Sequence, residues 1–200
     1  MKRGCVIGLI IAAILAIVFF IIFGYVTRAY NKMVTMSEAV SKEWSNVETQ
    51  YQRRADLIPN FVNTVKGAAN FEQETLTKVI EARAKATGIT IDPKNLDQAA
   101  LDKFQAAQGE ISQTLSRLMV VVEKYPELKA TQNYRDLQVE LEGTENRIAV
   151  ARNNFNESAR TYNTYIKSFP INIIAGFTSF REKPYFKAAE GTDKAPQVQF

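Results

Sequence analysis

The sequence predicts an all-α protein in which an N-terminal transmembrane helix continues into a long antiparallel four-helix bundle. Three observations carry this. No residue from Gly4 to Thr27 is charged. Apolar residues in the rest of the chain recur in alternating steps of three and four over separate segments, and the period-two alternation of strands is nearly absent. The chain divides into an anchor at 1–27, a bundle with a membrane-proximal C-terminal segment at 28–186, and a tail at 187–200. The small, polar and Pro-containing composition of that tail predicts flexibility.

Composition narrows the function classes. A chain of 200 residues, 46% apolar and 23% charged, buries one core. Setting aside Lys2 and Arg3, which precede the apolar run, 23 of the 25 basic residues face 21 acidic ones. That balance argues against nucleic acid as the main partner. Histidine is absent, which removes the usual general base and the commonest metal ligand. A single cysteine, Cys5, forms no internal disulfide.

The run VIGLIIAAILAIVFFIIFGYV, with Val6, Leu9, Leu15, Phe19 and Phe23 spread along it, meets the length of about 20 apolar residues that a helix needs to span hydrocarbon. A cleaved signal peptide would have a shorter apolar region and a small-residue cleavage site, whereas Phe23, Tyr25 and Val26 follow directly here. Cys5 precedes the run and reads as a plain thiol. Gly8 and Ala12 fit small-xxx-small spacing, a pattern common by chance. The expected location is the inner membrane, single-pass. Lys2 and Arg3 are nearly matched by Arg28 and Lys32, but long domains translocate largely regardless of charge. The N-terminus is therefore expected in the cytoplasm and the bundle outside.

Beyond the membrane, Val26, Tyr30, Met33, Ser37, Val40, Trp44, Val47 and Tyr51 form the first amphipathic stripe. The stretch YQRRADLIPNFVNTVK at 51–66 then predicts a helix hairpin. Pro59 cannot donate to a helix interior and disfavours the α region at Ile58. Asp56 is a good N-cap, with Pro59 in the first turn of the next helix. Arg53, Arg54, Asp56, Pro59 and Asn60 thus form the expected hairpin motif, with the arginines and Asp56 in local ion pairs. The first helix is expected at 26–54 and the second at 57–87, carrying Ile58, Phe61, Val62, Val65, Ala69, Leu76, Val79 and Ile80, with Gly88 as its C′ residue.

Ile89 to Asn95 reads as a loop. A third helix at 98–124 carries Leu101, Phe104, Gln108, Ile111, Leu115, Leu118 and Val122 and stops at YPEL, 125–128. The last runs from Thr131 to Ser168. Single-striped helices joined by short loops pack antiparallel. With three helices of roughly 30 residues each, about 45 Å, the longer fourth returns Phe169 to the bilayer surface. There INIIAGFTSF is apolar but too short to span. Phe169, Ile171, Ile173, Ile174 and Phe177 are expected to contact membrane or a neighbouring subunit, the competing reading being a cap on the bundle end.

The runs YNKMV at 30–34, Trp44 with Val47, QRRADLIPNFVNTVKG at 52–67, EARAKA at 81–86, FPINIIAGF at 169–177 and REKPYF at 181–186 together resemble the LemA family of bacterial membrane proteins. The resemblance implies one membrane helix and a helical bundle, in a family without an established enzymatic activity. One branch is connected with magnetosome formation, which makes membrane organisation a theme. Where the family commonly has a His-Glu pair, this chain has Asn70-Phe71-Glu72, so any role of that imidazole is lost here.

No nucleophile–base pair, Gly-rich phosphate loop or metal-ligand set is visible, so no enzyme activity, cofactor or metal is expected. Glu72, Glu74, Glu81 and Arg83 lack the histidines that bundle metal sites use. The expected function is a membrane-anchored, self-assembling scaffold of the cell envelope or of a membrane complex, its partners the lipid bilayer and further copies of itself. The alternative is an adaptor or regulator of another membrane protein such as a protease or transporter.

Overall fold

The computed structural model describes residues 3–67 and 72–187. The tail at 188–200, Ala69 with Asn70 and Phe71, and the side chains of Cys5 and Val6 lie outside the described residues. The described residues form six helices and one 3-10 turn: α1 Arg3–Lys66, α2 Gln73–Thr87, the turn Pro93–Asn95, α3 Gln98–Val122, α4 Pro126–Lys129, α5 Gln132–Lys167 and α6 Ile171–Gly176. No strand occurs among the described residues.

The organising element is α1. Its 64 residues span about 96 Å at the α-helical rise. Its N-terminal part is long and apolar enough to cross a bilayer, and Leu9, Leu15, Phe19 and Phe23 are all exposed there. Burial begins at Ala29 and continues through Met33, Val40, Trp44, Val47 and Tyr51. Val26 and Tyr30, expected in the stripe, are exposed, so the buried line runs one residue to their side.

The expected hairpin at Arg53, Arg54, Asp56, Pro59 and Asn60 is not there. α1 passes through Pro59 without a break and ends at Lys66, just before Gly67. Proline removes the donor to the carbonyl four residues earlier, that of Ala55. In this fold Arg83 of α2 supplies the replacement, its Nε donating to Ala55 O at 2.7 Å. Ile58, Phe61, Val62 and Val65, assigned to the second helix, are buried on the same stripe of α1. The second helix is consequently only 15 residues long, about half the expected length. Its Val79 and Ala82 are buried while Ile80 is exposed, and Gly88 is its C-cap in the right-handed region.

The helices pack side by side, antiparallel. Trp44 of α1 meets Phe155 of α5, while Phe61, further along α1, meets Tyr134, nearer the start of α5. Lys85 of α2 pairs with Glu110 of α3, and Glu72 with Lys124. Asp97 caps α3 by accepting from Ala100 N, and Thr131 caps α5. Two hydrophobic clusters result. The one nearer the exposed apolar segment centres on Trp44, Phe104, Phe155 and Phe186. The distant one centres on Ile58, Phe61, Val79, Ile111, Leu118 and Leu141.

Candidate functional site

Two constellations of polar groups close the interior. The first is Arg54. Continuing the stripe of α1 by steps of three and four from Tyr51 leads through position 54 to Ile58, so an arginine occupies a core position. It is 1% exposed. A guanidinium out of water needs acceptors in its own plane, and α3 and α5 converge on α1 to provide them. Nη1 donates to Ser112 Oγ at 2.8 Å and to Glu145 Oε1 at 2.7 Å. Nη2 donates to the Gln108 backbone oxygen at 3.0 Å and to Gln108 Oε1 at 2.6 Å. The cation lies 5.1 Å from the Tyr51 ring centroid. Burial pushes the Tyr51 phenol above its ordinary range, against Arg152 and Arg54, which favour the phenolate. Beside this node a cleft of about 850 Å³ opens between α3 and α5. Four charges in its wall are paired, Arg54 with Glu145 and Lys187 with Asp102, and a fifth, Arg152, donates to the Lys187 carbonyl.

Arg53, next in sequence, points outward and pairs with Glu140. Asp56 does not cap a helix; its carboxylate accepts from Gln52 Nε2 at 2.8 Å. Asn60 accepts through its carbonyl from Thr64. Of the five hairpin residues, then, Arg54 alone joins the interior, and the partners it meets come from 54 to 91 residues away.

The second constellation holds the extended segment at 183–187. Asn163 on α5 receives the Lys183 N–H and donates to the Lys183 carbonyl, both at 2.8 Å. One heptad earlier, Asn156 does the same for Phe186, at 2.9 and 3.0 Å. On α3, Gln98 brackets Tyr185 and Gln105 brackets Lys187 in the same manner. Four amides, paired at a seven-residue spacing on two helices, thus replace the ladder a neighbouring strand would provide. Phe186 is delivered between Trp44, stacked at 6.1 Å, and Arg152, 4.8 Å above its ring. Lys187, the first residue of the expected tail, is held by α3 and α5. The Lys183 ammonium donates to Pro93 O, and burial pushes it below the ordinary lysine range, partly offset by Asp92 and Glu38.

The C-terminal residues expected to act together are split. Ile171 is 5% exposed and buried in the cluster, and Ile174 packs partly against it. Phe169, Ile173 and Phe177 point away, 80%, 51% and 90% exposed. Among the described residues no group of His, Cys, Asp and Glu side chains converges as a metal site would. One signal for the strap at 183–187 was present in the sequence: Gln98 with Gln105 and Asn156 with Asn163, two amide pairs at heptad spacing beside apolar positions.

A model described as the LemA family matches residues 43–200, a region that contains both polar constellations and α6. The magnetosome protein MamQ 1 of Paramagnetospirillum magneticum is 30% identical over 209 residues, covering 96% of this chain and 76% of its own length. MamQ of Magnetospirillum gryphiswaldense is 30% identical over 219 residues, with 99% and 79% covered. Protein LemA of Metamycoplasma hominis is 26% identical over 168 residues, with 84% and 73% covered.

Proposed function

We propose that this chain, which belongs to the LemA family, is a non-enzymatic scaffold anchored in the membrane by α1, which self-assembles to organise the cell envelope or a membrane complex. The observation that carries the reading is the continuity of α1. One helix runs from an exposed apolar stretch into the centre of a packed core with no linker between them, so force or position at the bilayer passes directly to the rod. The polar interior supports a structural role, because both Nη groups of Arg54 and the side-chain amides of Asn156 and Asn163 are spent on holding helices and the strap. The relatives named as magnetosome proteins favour membrane organisation as the setting. In this reading the anchor sits in the inner membrane with the N-terminus in the cytoplasm.

Light scattering on the full chain in detergent tests the scaffold reading, and a homogeneous homo-oligomer is expected. A small species that enriches one other membrane protein would instead make this chain an adaptor. Protease added to intact spheroplasts is expected to cut the bundle, and cutting only after lysis would reverse the orientation.

A further inference from the structure

α6 follows α5 where α5 returns toward the apolar segment. In the antiparallel register Lys32 lies over the Tyr165 ring, 5.0 Å from its centroid, so the residues after Ser168 are level with the first residues of α1 beyond the uncharged run. Phe180 closes the loop against Tyr30, ring centroids 5.4 Å apart. The uncharged run ends at Thr27 and burial starts at Ala29, two residues or about 3 Å further along the helix. If the run fills the hydrocarbon, a body packed on α1 at this level lies in the headgroup layer, about 5–7 Å deep on each side.

The faces of α6 sort accordingly. Ile171 and Ala175 are buried where α6 packs on α1 and α5, while Ile173 on α6 and Phe169 and Phe177, just before and just after it, are exposed. Exposed Arg181 follows four residues after Phe177, and Arg28, exposed on α1, stands just beyond the uncharged run. Apolar side chains beside basic ones at this depth match the chemistry of a bilayer interface with anionic headgroups.

We propose that α6 is a second membrane contact. Phe169, Ile173 and Phe177 enter the headgroup–acyl boundary of the leaflet from which α1 emerges, and the bundle is held at two points instead of pivoting on one helix. This rests on α1 spanning the bilayer. The experiment is chosen to separate the two. Full-length protein in a Cys5→Ser background carries one nitroxide label at a time, in phosphatidylcholine vesicles containing phosphatidylglycerol. The label sites are Leu15→Cys, Val139→Cys, Ile173→Cys and Phe177→Cys, and the readout is accessibility to oxygen against a water-soluble nickel reagent.

Val139, exposed on α5, is the aqueous reference, and Leu15 the buried one. The expected oxygen-to-nickel ratio at 173 and 177 is several-fold above that at 139. At 173 it falls to the aqueous value when Phe169→Asp and Phe177→Asp are combined, with an unchanged melting temperature. Aqueous values at 173 and 177 with a buried Leu15 overturn the α6 contact alone. Labels shielded from both reagents and broadened by labels on other copies overturn it in favour of a protein interface. An aqueous Leu15 overturns the anchor as well.

Discussion

The two halves of the helical domain share α1 and α5 but are closed by different means. Away from the apolar segment, α2 and α3 cover the pair with regular helix, and the core is mostly aliphatic. α2 stops at Thr87, near the middle of the rod, and nearer the apolar segment its place is taken by the 89–97 connection, α6 and the extended strap at 183–187. A helix satisfies its own backbone. An extended strap does not, and buried N–H and C=O groups without partners are costly. That is why the half closed by the strap carries four bracketing amides and an aromatic cluster, while the distant half has the Arg54 node and the Arg83 contact to the Ala55 carbonyl.

This contrast can be broken at its strongest point by Trp44→Ala. Trp44 touches Phe104, Phe155 and Phe186, so its loss removes the contact surface of α3, α5 and the strap together. Denaturant unfolding of the full chain in detergent should show a loss of about 3–5 kcal/mol. A loss of under a quarter of that would mean the strap half contributes little to global stability.

Arg54→Ala probes the other side. It leaves Gln108 and Ser112 without their donor, while Glu145, 45% exposed, regains water, so a loss of about 3 kcal/mol is expected, near the lower end for a broken buried pair. Arg54→Lys should recover less than half, since an ammonium cannot reproduce the planar fork that reaches α3 and α5 at once.

The strap is tested more gently by Asn163→Ala, which orphans the Lys183 N–H and carbonyl. A cost of about 2 kcal/mol is expected, localised: amide exchange at 183–187 should accelerate while amides around Leu118 keep their protection. Uniform acceleration would mean the halves unfold as one unit and the contrast is only geometric.

The smallest effect belongs to Pro59. Pro59→Ala restores a donor to Ala55 O and should change stability by less than about 1 kcal/mol. Arg83→Ala should then cost less when combined with Pro59→Ala than when made alone, and equal costs in this double-mutant cycle would show that Arg83 does not serve the orphaned carbonyl.

The all-α class, the apolar segment, the third and last helices and the loop at 89–95 were legible from period and caps, because each depends on residues within a few positions of one another. The end of α1 was not. Read locally, Asp56 and Pro59 outweigh Gly67, since a proline inside a helix costs a hydrogen bond. Whether that cost is met depends on Arg83, and only packing brings Arg83 to Ala55. The burial of Arg54 was half visible, in that the three–four rhythm passes through it, but its acceptors on α3 and α5 come from elsewhere in the chain. Likewise the stretch 169–177 is evidently apolar, yet its division into inward Ile171 and outward Phe169, Ile173 and Phe177 follows from where α5 delivers it against α1. Periodicity along a chain states which residues must leave water. The partners that receive them are chosen by groups distant in sequence, and only the assembled fold decides those.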